Sequence, residues 1–165
     1  MNSFQVRKTD FETIYDKYSS MLYRLALTHV QTKEDAEDVV HDVFAKYLEA
    51  AHKLKDDEHE RAWLVRVTVN KCHDLIRKRK YRMHMSLDDI HELPKEEKAL
   101  LPDVFEVVAT LPEKYKTVIV LHYLEGYSVE EISSMLRVSG SAVKMRLSRG
   151  RELLKNILEK EENNV

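Results

Sequence analysis

Glycine and proline are scarce in this 165-residue chain, three of each, and none of them occurs before residue 90. The first ninety residues therefore hold no strong helix breaker. Alternating strand-like runs are missing too, which excludes a sheet-built domain and leaves an all-α one. There is one cysteine, Cys72, so no intrachain disulfide forms and a cysteine-rich zinc site is excluded. No apolar run approaches the ~18 residues of a membrane span. The opening "MNSFQVRKTDF" lacks the apolar segment of a signal peptide. A cytoplasmic address is the expectation.

The formal charge of −2 averages over strong segregation. Residues 31–60 hold four Lys or Arg against ten Asp or Glu, and residues 61–82 hold eight against one. Residues 86–113 return to two against eight, and residues 137–155 hold six against one. Two basic segments separated by an acidic spacer predict two places that meet a polyanion.

Thr9 and Glu12 stand at capping-box spacing and predict a helix start, with Phe11, Ile14, Tyr15, Tyr18, Leu22 and Leu25 at helical intervals behind it. Thr32 is the expected N-cap of a second helix, whose apolar stripe is Ala36, Val39, Val40, Val43, Phe44, Tyr47, Leu48 and Ala51. The polar stretch His52 to His59 breaks that pattern. "ERAWLVRVTVNKCHDLIRKRK" then predicts a third helix with Ala62, Val65, Val69, Cys72 and Ile76 inward. Three such helices can enclose a small core. From about Tyr81 to Leu101 periodicity fades into a charged linker.

A second module starts near Pro102. "DVFEVVATL" reads as one helix, Pro112 opens the next, and Gly126 ends it. Ser128 and Glu131 form another capping box, and Ser139 caps the last helix, with Ala142, Val143, Leu147, Leu154 and Leu158 available for a core. Gly150 inside that helix costs about 1 kcal/mol relative to alanine. Close approach to a neighbouring element is the expected reason.

Two helices joined by a turn of about three or four residues, the second one basic, match a DNA-reading helix-turn-helix. With Val143, Leu147 and Leu154 inward, Lys144, Ser148 and Arg151 share one face, flanked by Arg146 and Arg149. Cations there bind phosphate, and an arginine fork also reads guanine. A lone basic helix could equally be solvated surface; the capped partner helix in register favours DNA. On the third helix, Trp63, Arg66, Val67, Asn70 and Arg77 lie off the core stripe. An aromatic to stack, an amide to read a base edge and arginines to hold phosphate suit single-stranded DNA. Periodicity leaves open whether Trp63 is core instead.

Four segments in order, "DAEDVVHDVFAKYLEA", "AWLVRVTVNKCHDLIRK", "LPEKYKTVIVLHYLEGYSVEEIS" and "AVKMRLSRGRELL", span Phe11 to Leu158 with their neighbours. Together they resemble the extracytoplasmic-function (ECF) sigma factors. The resemblance implies a three-to-four-helix sigma region 2 at 8–82, a flexible acidic linker at 83–101 and a four-helix region 4 with the helix-turn-helix at 102–160. It implies that Asp38, His41 and Asp42 face the β′ clamp helices of core RNA polymerase, with a further contact to the β flap. Trp63, Arg66, Asn70 and Arg77 would meet the melted −10 strand, and the loop Leu54 to Glu60 would capture a flipped base, at a cost of a few kcal/mol in unstacking. Lys144, Arg146, Ser148, Arg149 and Arg151 would read the −35 element of promoter DNA. Ser139, Gly140 and Ser141 stand where the family often has a proline, an aliphatic residue and a glycine. An anti-sigma factor, often membrane-anchored, is the implied inhibitor, and it would hold the protein at the inner face of the membrane.

The nearest alternative is a helix-turn-helix regulator acting without polymerase, which predicts a symmetric dimer on a palindrome. An enzyme is the distant one. The eight histidines are scattered, no HExxH or phosphate-cradling glycine loop occurs, and Cys72 and His73 point about 100° apart on a helix. No catalytic residue, cofactor, metal or small-molecule substrate is expected.

Overall fold

The computed structural model describes residues 3–85 and 103–164, and every regular element in them is helical. Helix α1 spans Ser3–Val30. With no breaker upstream, it runs straight through Thr9, so the Thr9–Glu12 spacing is not a helix start. Gln31 closes α1 in the left-handed region (φ 64°), its amide donating to the Leu27 carbonyl at 2.9 Å. Thr32 then caps α2 (Lys33–Ala50), accepting from the Asp35 amide as expected. This short joint folds α2 back along α1.

The stripe of α2 buries Ala36, Val39, Val40, Val43, Phe44 and Tyr47, but Leu48 is 61% exposed. One residue past Tyr47 is a further 100° around the helix, which carries Leu48 off the packed face. A single 3₁₀ turn (Ala51–Lys53) leads to α3, which spans Asp57–Met85. α3 begins inside the stretch expected as a loop, because Asp57, Glu58 and Glu60 suit the positive end of a helix dipole. It also continues three residues into the expected linker. The acidic remainder, 86–102, lies outside the described residues.

The C-terminal half stacks α4 (Asp103–Ala109), α5 (Glu113–Ile119), α6 (Val129–Leu136) and α7 (Gly140–Asn163). Pro112 is the N-cap of α5 rather than its first residue. After Ile119 the helix widens into a π-turn (Val120–Leu124), with the Glu125 amide reaching back to the Val120 carbonyl at 3.0 Å. Gly126 follows at φ +78°, a conformation that side chains resist. Ser128 and Glu131 form the predicted capping box on α6, at 3.1 and 2.8 Å.

Gly150 shows why it is glycine. A Cβ there would sit 2.9 Å from Cγ1 of Ile119, so α5 and α7 meet backbone to side chain at that point. Val143, Leu147 and Gly150 form the buried edge of α7, whereas Leu158 is 48% exposed because the last turns of α7 project past the bundle.

The two halves are packed together, not merely strung on a linker. α1 packs on α4 and α5, and α3 packs on α6. Buried residues of both halves form one continuous cluster, from Leu22, Leu25 and Leu64 to Leu121 and Ile132. Each such side chain contributes about 1.5–3 kcal/mol on burial.

Candidate nucleic-acid interface

α7 is held by its cap and its buried edge. Ser139 accepts from the Ala142 amide at 3.1 Å, so the turn stays competent despite its unusual Ser-Gly-Ser sequence. With Val143 and Leu147 locked inward, Lys144, Ser148, Arg149 and Arg151 stand in solvent. Arg151 donates to the Tyr123 hydroxyl at 2.7 Å, and Arg149 lies 3.7 Å from Glu152. Both contacts are exposed and weak enough to exchange for phosphate. Arg146 is half-buried: it lines both a depression shared with Met145 and Arg149 and a cleft of about 520 Å³ between α3 and the C-terminal half.

The face expected on α3 is assembled in part and then covered. Trp63 is half-buried, edge-on to the Tyr47 ring at 6.3 Å between centroids, so it packs against the core while keeping an exposed edge. Arg66 donates to the Met135 carbonyl of α6 at 3.0 Å. Burial, and then the neighbouring Arg137, lower its pKa. Asn70 is exposed and lines the same cleft as Arg66, His73 and Arg146. Arg77 lies further along, exposed and paired with Asp74. Arg66 and Asn70 thus sit at the junction with α6, whereas Trp63 meets α2 and Arg77 stands apart.

Elsewhere in the N-terminal half, Asp38, His41 and Asp42 are all exposed on the outer face of α2. Lys71 approaches Asp42 at 3.8 Å. A shallow depression beside them is lined by Tyr15, Ser20, Tyr23, Arg24 and Glu37.

A cap-anchored helix-turn-helix on one half and a basic third helix on the other fit the families that the sequence matches. The family model for Sigma-70 region 2 matches residues 14–82, and that for Sigma-70, region 4 matches residues 103–154. RNA polymerase sigma factor SigV of Bacillus subtilis (strain 168) is 30% identical over 164 residues, covering 98% of this chain and 99% of its own. The chain belongs to the ECF RNA polymerase sigma factor family.

This sigma factor is also 28% identical to ECF RNA polymerase sigma factor SigX of the same organism, over 90% of this chain and 84% of that one. Among solved structures, CnrH in complex with the cytosolic domain of CnrY superposes with a TM-score of 0.71 at 27% identity, covering 93% of this chain and 90% of that chain. The sigma factor RpoE bound to the anti-sigma factor NepR, from Bartonella quintana, shares the fold with a TM-score of 0.74 at 22% identity, over 91% and 97% of the two chains.

Several residues that organise the junction were not singled out from the sequence. Arg24 forks onto Glu125, with Nε and Nη2 donating at 2.7 and 2.9 Å. The Arg61 guanidinium lies over the Tyr127 ring at 4.8 Å and reaches Glu131 at 3.6 Å. The Tyr127 hydroxyl donates to the Met21 sulfur at 3.3 Å, and the Gln31 amide donates to the Ala109 carbonyl at 3.2 Å. His29, on the same helical face as Leu22 and Leu25, is buried beside Thr117, and its ring lies 5.6 Å from that of His73. Burial above all, then Lys116 and His73, push the His29 pKa down to about 3, so it is neutral in the folded protein. A histidine on an apolar face was the available signal, yet its partners come from another element 88 residues away.

Cys72 is fully buried, and burial raises its thiol pKa to about 12. It is core, as its place on the α3 stripe predicts, and too protonated to act as a nucleophile. Among the described residues no helix is long and apolar enough to cross a membrane.

Proposed function

We propose that this sigma factor docks on core RNA polymerase through Asp38, His41 and Asp42 of α2, reads the −35 element with α7, and traps unpaired −10 bases on α3. The observation that carries the reading is the capped α7, whose buried edge fixes Lys144, Ser148, Arg149 and Arg151 in solvent. A helix so presented fits the major groove. No covalent step is involved: binding energy favours the melted promoter. Since Arg66 is engaged with α6 and Asn70 lies in the cleft beneath it, the C-terminal half must swing away from α3 before the −10 strand is held. The packed arrangement is therefore the resting form, and polymerase binds the open one.

An anti-sigma factor anchored at the inner face of the membrane is the proposed inhibitor. The family resemblance supports it, as does the solved pairing of CnrH with the cytosolic domain of CnrY. Such a partner acts by adding contacts that exist only in the packed form. The acidic segment 86–102 would act as the tether.

The test is promoter binding by polymerase carrying the Arg149→Ala/Arg151→Ala variant, measured across a salt series. Loss of two phosphate contacts should reduce the slope of log K against log[salt] by about 2 and weaken binding at every sequence. An unchanged slope would remove α7 from the groove.

A further inference from the structure

Outside the proposed DNA surfaces, one cluster brings metal-ligating side chains from three helices to a single point. His29 of α1, His73 of α3 and Glu113 of α5 each offer one ligand atom, and those atoms lie within 4.8 Å of one another. His73 Nε2 stands 3.0 Å from a Glu113 carboxylate oxygen. In one tautomer the Thr117 hydroxyl donates to the Glu113 carbonyl at 3.0 Å and accepts from His29 Nε2 at 3.0 Å. Nδ1 of His29 is then left with a bare lone pair. That lone pair is buried and has no partner; His73 Nε2 is likewise buried and without a hydrogen bond of good geometry.

An orphaned, buried imidazole nitrogen on His29, beside a second histidine and its carboxylate partner, needs an explanation, since buried polar atoms are nearly always satisfied. We propose that His29, His73 and Glu113 form a binding site for a Zn²⁺-class divalent cation that joins the N-terminal and C-terminal halves of the chain. Two histidines and one glutamate are a known zinc donor set, with water completing the tetrahedron. Imidazole donors disfavour Mg²⁺ and Ca²⁺, which take oxygen ligands. Thr117 supplies the outer hydrogen bond that orients a metal-bound histidine. His73 and Glu113 also line the cleft of about 520 Å³, which provides an entry path and room for the water. Tetrahedral ligands ~2.1 Å from zinc lie about 3.4 Å apart, so the widest separation must contract by up to about 1.4 Å and the His73–Glu113 pair, at 3.0 Å, must open slightly. One charge opposes the site: Lys116 is buried nearby, partly offset by Glu113.

This site does not depend on how the chain meets DNA. Because His29 and His73 belong to one half and Glu113 to the other, a bound ion staples the packed form.

Metal-free full-length chain titrated with Zn²⁺ against a chromophoric chelator, with Mg²⁺ as the control, tests the proposal. The expected result is one Zn²⁺ per chain, a raised melting temperature with Zn²⁺ and none with Mg²⁺. His73→Gln and Glu113→Gln sit at half-exposed positions and should keep the fold by circular dichroism, yet each should weaken Zn²⁺ binding at least ~10-fold. No stoichiometric binding to the native chain would overturn the proposal, and so would native affinity retained in both variants. Weakening by His73→Gln alone would place the ion within the N-terminal half and overturn the staple.

Discussion

α7 and α3 each carry arginines to a surface suited to nucleic acid, but their surroundings differ. Lys144, Arg149 and Arg151 of α7 are open to solvent, apart from the weak contacts of Arg149 and Arg151, and the helix beneath them is fixed by Ser139, Val143, Leu147 and Gly150. The corresponding stretch of α3 lies under α6, with Arg66 committed to the Met135 carbonyl. The duplex reader proposed on α7 is preorganised and needs no rearrangement. The strand trap proposed on α3 would work only after a domain movement. The contrast suits an order of events in which duplex is found first and opened strand is held second.

The polar contacts across the junction are of a kind that can be given up, whereas the shared apolar cluster holds the halves together. Arg24–Glu125 has good forked geometry, but the arginine side chain is 42% exposed, and Arg61–Glu131 is long at 3.6 Å. Exposed pairs contribute about 0–1 kcal/mol each after solvent screening. Interfaces between domains of one chain commonly permit relative motion.

The contrast can be tested from either side, and the largest effect should come from the support of α7. Gly150→Val places a branched side chain against Ile119 and should destabilise the C-terminal half by about 2–3 kcal/mol. Urea denaturation would read it, and native stability in the variant would mean that α5 and α7 are not as close as described. Next, a double-mutant cycle on Arg24→Ala and Glu125→Ala should give a coupling of no more than about 1 kcal/mol, shrinking with salt. A coupling well above that would make the junction a rigid one and contradict an easily opened form. The smallest effect on stability belongs to Asn70→Ala, an exposed site where about 0.5 kcal/mol or less is expected. In transcription from a randomised promoter pool it should nevertheless shift the −10 base preference. An identical set of selected promoters would take Asn70 out of the strand trap.

Local chemistry was legible wherever a residue acts on its own helix. Thr32, Ser128 and Ser139 cap the helices that their hydroxyls predict, because a cap bonds to an amide three residues on. Thr9 has the same spacing and is no cap, because α1 continues upstream of it. The exposed set on α7 followed from its apolar stripe, except that Arg146 turned toward the interdomain cleft. Trp63, undecided from periodicity, is both: its ring meets Tyr47 and its remainder stays accessible.

The sequence by itself determined the helices, most of their caps and the segregation of charge, since each depends on neighbours within a few residues; the need for glycine at position 150 comes from Ile119, which packing brings against it. Only the tertiary structure decided that α6 covers the α3 face, that Glu125 meets Arg24 across 101 residues, and that His29, His73 and Glu113 converge. Those outcomes depend on how whole helices pack, and residues separated by that much chain carry no shared periodicity by which to recognise one another.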